Sequence, residues 1–248
     1  MNSTENLWAA SMGNGHSNGN GHGQNGVKHA NGNAVHEEIG ETHQATSVET
    51  PLRPDAFDVD DETKIIMIEQ HFEEIMNILG LDLSDDSLRG TPHRVAKMYV
   101  KEIFSGLNPT NKPDIRTFAN NYQYKQMLVE KDITFYSQCE HHFVPIIGVA
   151  HVAYISTGRV VGLSKLNRIV QYYARRPQVQ ERMTRQIAEE LKESLQTEDV
   201  AVVLAADHLC VASRGVQDTN SRTITADYSG RFESDPQTKS EFLKYLEL

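Results

Sequence analysis

Ser137-Gln138-Cys139-Glu140-His141-His142-Phe143-Val144-Pro145 reads as a turn set between two strands. Residues 127–136 before it and 144–156 after it are rich in β-branched and aromatic side chains, the composition of strands. Cys139 and His142 stand three positions apart in that turn, a chelating spacing at a strand end. Downstream, Ser156-Thr157-Gly158-Arg159 reads as a second turn, leading into a short strand at Val160 and Val161.

Helices flank this β region on both sides. A helix over 164–175 stops before Pro177, and a second over 178–195 carries Val179, Met183, Ile187, Leu191 and Leu195 on one stripe. Residues 200–206 form an unbroken apolar run, as expected of a buried strand. A further strand over 221–228 and a closing helix over 236–246 complete the chain. Upstream, Ile65, Ile66, Ile68, Phe72, Ile75, Met76 and Leu79 recur at helical spacing and end at Gly80. Another helix begins at Thr91-Pro92, with Thr91 as the expected cap, and runs toward Gly106. Helices and strands cluster without strict βαβ alternation, which makes the fold class α+β.

Composition divides the chain of 248 residues at about residue 58. Residues 13–33 are almost all Gly, Asn, His and Ser, too polar to offset the entropy of ordering. Residues 1–58 are therefore expected to form a disordered tail, and 59–248 one folded domain. Five histidines (His16, His22, His29, His36 and His43) fall in that tail, without the fixed spacing of a metal site. The start has no basic segment and no apolar stretch of a secretory signal. No apolar run reaches membrane-spanning length, and two cysteines build no disulfide framework. Reduced thiols in the cytoplasm are the simplest expectation.

A net charge of −10 argues against general binding to nucleic acid. The charge is uneven, however. Residues 159–185 hold seven cations (Arg159, Lys165, Arg168, Arg175, Arg176, Arg182 and Arg185) against one acid, Glu181. Such an island suits a compact anionic ligand or a solvated helix face.

Cys210 lies 68 positions beyond His142, so only the folded chain joins it to the chelating pair. His208 and Cys210, at i and i+2 on an expected strand, share a face. Spacing leaves both His141 and His142 eligible as the ligand. It also leaves three outcomes open: a three-ligand catalytic zinc, a closed structural zinc with His208 as fourth ligand, and no metal at all, with a Cys139–Cys210 redox pair among the forms of the last.

Five segments read together resemble GTP cyclohydrolase I. They are Thr91-Pro92-His93-Arg94-Val95-Ala96-Lys97-Met98, the run from Ser137 to His142, Gly162-Leu163-Ser164-Lys165-Leu166-Asn167-Arg168, Arg175-Arg176-Pro177-Gln178-Val179-Gln180-Glu181-Arg182, and His208-Leu209-Cys210 followed by Arg214-Gly215-Val216. They occur in the family's order and span about residues 60–246. One interval departs from the family's usual form: Val211-Ala212-Ser213 stands where Met often follows the second cysteine.

The resemblance implies Zn2+ on Cys139, His142 and Cys210, with His141 and His208 as proton carriers outside the ligand set. It implies GTP as substrate, water addition at guanine C8, release of formate and closure to 7,8-dihydroneopterin triphosphate, the opening step of pterin biosynthesis. His208 is assigned to the purine-nitrogen side and His141 to later proton transfers. It further implies the tunnelling fold, a homodecamer with active sites between subunits, and room for a regulatory protein partner. Glu181 suits the paired N1–H and N2–H donors of guanine, with Gln180 beside it; an ion pair to Arg182 or Arg185 is the plainer alternative. Ser164 at a helix start, Lys165 and Arg168 on one helix face, Arg214 on the strand of Cys210, and Arg94 with Lys97 from a neighbouring subunit are the expected triphosphate contacts. Arg175 and Arg176 are expected at the surface or an interface.

Overall fold

A computed structural model describes residues 47–247. The five tail histidines therefore lie outside the described residues.

Two helices lead. Helix α1, Asp61–Ile78, starts where Asp60 accepts the Thr63 amide at 2.8 Å. Helix α2 spans Thr91–Met98, but its cap differs from expectation. Gly90 holds the N-cap position and Thr91 is already helical. The Thr91 hydroxyl instead accepts from Arg94 Nη2 at 2.8 Å, which removes it from capping duty. A π turn, Tyr99–Ile103, and two 3-10 turns, Ser105–Leu107 and Pro109–Asn111, follow. Gly106 is required here, because its amide reaches the Arg175 carbonyl at 2.9 Å and a Cβ would overlap the Tyr172 carbonyl oxygen.

The strands are β1, Thr117–Ala119; β2, Met127–Cys139; β3, Pro145–Ile155; and β4, Arg159–Val161. Helix α3, Leu163–Ala174, leads to β5, Pro177–Gln178, and helix α4, Gln180–Leu195. Strand β6, Val200–His208, passes directly into a helical turn, α5, Leu209–Ala212. Strand β7, Thr223–Tyr228, a short helix α6, Arg231–Ser234, and α7, Pro236–Glu247, close the chain.

The main sheet runs β5-β2-β3-β6-β7, while β1 and β4 form a separate ribbon. All main-sheet pairs are antiparallel except β5 against β2. That parallel pair was not expected, and it sets Gln178 opposite Cys139. Antiparallel pairing of β3 with β6 sets Ile146 opposite His208. The two chain ends that carry the candidate ligands thus meet at one end of the sheet.

Alternation decides which face each strand residue serves. Phe135, Ile146, Val202 and Leu204 are buried against Leu166, Ile169, Met183, Ile187 and Leu191 of α3 and α4. Each such side chain contributes about 1.5–3 kcal/mol on burial. Ala201 and Val203 face the other way and pack under Phe232 and Phe242. Further along that second face, Tyr136, Ile147 and Ile224 stay exposed. No helix among the described residues is long and apolar enough to cross a membrane.

Candidate active site

The turn after β2 winds tightly on itself. The Cys139 carbonyl accepts the amides of His142 (3.4 Å) and Phe143 (2.8 Å), while the Cys139 amide donates to the Val144 carbonyl at 2.9 Å. That winding brings the side chains of Cys139 and His142 together. Phe143 closes it in the left-handed region, at φ 52°, a cost of about 1–2 kcal/mol for a residue with a Cβ. Its ring rests against Phe104, 5.1 Å between centroids. The Glu140 amide reaches the Gln178 carbonyl at 3.0 Å and ties the turn to β5.

Cys210 does not share a strand with His208 as expected. Strand β6 ends at His208, and Cys210 sits on the α5 turn. Even so, the ligand atoms of Cys139, His142 and Cys210 lie within 4.8 Å of one another. Cys139 Sγ and His142 Nδ1 are 3.8 Å apart. A tetrahedral zinc with one sulfur at about 2.3 Å and one nitrogen at about 2.1 Å sets those two donors about 3.6 Å apart. Donor type and spacing both fit that ion. His141 Nδ1 also comes to 3.8 Å from Cys139 Sγ, yet the three-donor group contains His142 and excludes His141. Among the described residues the group has no fourth member, and His208 is engaged elsewhere.

Electrostatics favour a cation at this point. Burial, then the neighbouring Cys139, pushes the Cys210 thiol up to about 11. Two adjacent thiols resist ionising together, and a bound divalent cation removes that resistance. Burial, then Arg214 and His141, lowers the pKa of His142 and favours the neutral, ligating imidazole.

Cys139 and Cys210 border a cleft of about 630 Å³, whose walls include His141, His208, Glu181 and Arg185. Burial lowers the pKa of His208, and Glu181 and Asp207 partly oppose it. Glu181, in the first turn of α4, is exposed on the cleft wall. Gln180 lines the same cleft as Glu181, but its side chain is 1% exposed and bonds Leu204, Thr223, Thr225 and His208.

Arg182 also turns in. It holds Glu140 through two contacts, 2.6 and 3.2 Å, and gives Nε to the Ser47 carbonyl at 2.8 Å. The plainer role for Glu181 as its ion-pair partner therefore falls away. Ser47 and Val48, assigned by composition to the tail, line the cleft, and Gln186 donates to Glu49 at 2.9 Å. Neither the Glu140–Arg182 pair nor this wall has a sequence signal, since each joins residues more than 40 positions apart.

The expected phosphate contacts lie elsewhere in a single chain. Lys165 donates to the Asp114 carbonyl. Arg168 lines a second cavity of about 490 Å³ with Lys101 and Arg175. Ser164 and Lys97 are exposed on α3 and α2, and Arg94 holds Thr91 and, at 3.2 Å, the Ser87 carbonyl. Arg214 follows α5 and not a strand, and it lies close enough to act on His142 and Cys210. Arg176 is not simply at the surface: it stacks on Tyr172 and Tyr173, 4.5 and 4.6 Å from their centroids.

Fold and site together define an α+β enzyme with a Cys-His-Cys group whose two cysteines border a cleft. Residues 68–247 match the family model for GTP cyclohydrolase I. A protein of Flavobacterium johnsoniae named GTP cyclohydrolase 1 is 61% identical over 212 residues, covering 86% of this chain and 95% of the relative. Proteins of the same name from Citrobacter koseri (51% over 210 residues; 85% and 93%) and Vibrio parahaemolyticus (52% over 208 residues; 84% and 95%) are similar over nearly the same span. The chain belongs to the GTP cyclohydrolase I family.

Proposed function

We propose that this protein converts GTP to 7,8-dihydroneopterin triphosphate with release of formate, using Zn2+ held by Cys139, His142 and Cys210. The observation that carries this reading is the meeting of those three donors, two of them, Cys139 and Cys210, on the wall of a cleft that also presents His141, His208 and Glu181. A zinc ion with one open position supplies a water of pKa near 7, in place of about 15.7, and so hydroxide at neutral pH.

The chain's own residues do the rest. Glu181 accepts the two N–H donors on the guanine edge, which adenine does not present. His208 serves the purine nitrogen and His141 the later proton transfers, since an imidazole can both donate and accept a hydrogen bond.

The triphosphate is bound by cations from more than one subunit. Arg214 comes from the chain that supplies the donors, and Ser164, Lys165, Arg168, Arg94 and Lys97 come from neighbours. Two observations favour this arrangement. Those five residues lie outside the cleft of their own chain, and the sheet leaves Tyr136, Ile147 and Ile224 uncovered on one face. Joining such faces builds the tunnelling fold, a barrel of sheets backed by helices, in a homodecamer. Residues 59–248 are the catalytic domain and 1–58 a tail whose last residues reach the cleft. The thiol ligands suit the reducing cytoplasm.

Purified protein incubated with GTP should release formate and, after oxidation, yield a fluorescent pterin; ATP should give neither. Formate from ATP at the same rate, or none from GTP, would refute the assignment.

A further inference from the structure

We propose that Gln180 is a positioning residue that fixes the tautomer and ring orientation of His208, holding the ring hydrogen on Nε2. This rests on the place given to His208 in the reaction above. The argument starts from oxygens that can only accept. Gln180 Nε2 lies 3.2 Å from the Leu204 carbonyl oxygen and 3.1 Å from that of Thr223. A carbonyl never donates, so the nitrogen end of the amide must face them.

A third contact, 3.1 Å to Thr225 Oγ1, is oriented by its own neighbours. Thr184 Oγ1 donates to the Gln180 backbone carbonyl at 2.8 Å, which engages its single proton. In the 2.6 Å contact between the two hydroxyls, Thr225 is then the donor and Thr184 the acceptor. Thr225 Oγ1 therefore accepts from Gln180. All three partners turn the amide the same way.

The remaining end is Oε1, which faces His208 Nε2 at 2.8 Å. An amide oxygen accepts only, so Nε2 bears hydrogen whether His208 is neutral or charged. In the neutral ring Nδ1 is then the nitrogen without hydrogen. The amide is anchored in the sheet: Leu204 on β6 pairs with Thr225 on β7, and the Gln180 side chain is buried.

The test reads the nitrogens directly. Protein labelled with ¹⁵N-histidine, with the His208 signals identified by their loss in His208→Ala, should show Nε2 protonated and Nδ1 bare. An Nδ1–H tautomer in the unaltered protein would overturn the proposal. Gln180→Met should erase the preference and lower kcat by about tenfold or more, with KM for GTP within about threefold. A raised KM at unchanged kcat would instead give the side chain to substrate. In a His208→Ala background Gln180→Met should change kcat no further, and an undiminished loss there would show a merely structural role. The nitrogen spectrum needs neither turnover nor a variant at Gln180. Nε2–H in protein that releases no formate would therefore sink the reaction and leave the Gln180–His208 link standing.

Discussion

The cleft bordered by Cys139 and Cys210 and the cavity lined by Lys101, Arg168 and Arg175 are of similar size but hold their charges differently. Around the cleft the polar side chains are locked to one another: Arg182 to Glu140, Gln180 to His208, Gln186 to Glu49. In the cavity Lys101 is paired with Asp61 at 3.0 Å, while Arg168 and Arg175 pair with no carboxylate among the described residues. One chain brings the three donors together by itself, and the same chain keeps the cations expected at the triphosphate away from that cleft. Under the proposed function, metal binding would be a property of the subunit and turnover a property of the assembly.

The comparison breaks most severely at the metal corner. Cys210→Ala should abolish zinc binding and cut formate release by about 100-fold or more. Retained zinc and normal turnover would show that the corner is not the catalytic end. Arg182→Ala comes next, because it leaves Glu140 at a largely buried site without its cation. Loss of one partner of a buried pair costs about 3–5 kcal/mol, so the melting temperature should fall clearly and zinc affinity with it. An unchanged melting curve would mean the pair is solvated and idle.

Arg168→Ala sharpens the other side. It should raise KM for GTP by about tenfold or more, the scale of a lost charge-assisted bond, and leave zinc content intact. Assayed at GTP below KM, reassembled mixtures of Arg168→Ala and Cys210→Ala subunits should exceed the summed activity of the two variants alone; failure to complement would place both residues in one chain's site. Glu181→Gln should have the smallest effect, weakening GTP by about tenfold at unchanged zinc, and equal affinity for GTP would remove its role at the base.

Much of this contrast was legible in the residues. Cysteine and histidine are scarce outside the tail, so Cys139, His142 and Cys210 stood out, although spacing left the two adjacent histidines level until the turn was seen to bring His142 to Cys139. Helices α3 and α4 and strands β2, β3 and β6 carry enough residues to display a period or an apolar run. Strands β1 and β5 and the α5 turn hold two to four residues each and display none. That is why Cys210 was placed on a strand. Gln180 lines the cleft with Glu181, but its bonds to Leu204, Thr223, Thr225 and His208 join residues 24 to 45 positions apart, which no local pattern displays. Arg182 was counted with a surface charge island because its partner, Glu140, lies 42 positions away.

Titrating zinc into metal-free protein while scoring formate from GTP tests the central claim most directly. Formate release should climb linearly to one zinc per chain and stop there, and uptake should strengthen as pH rises from about 6 to 8, since ligation displaces protons from the two thiols. Full formate release before any zinc is added would contradict it.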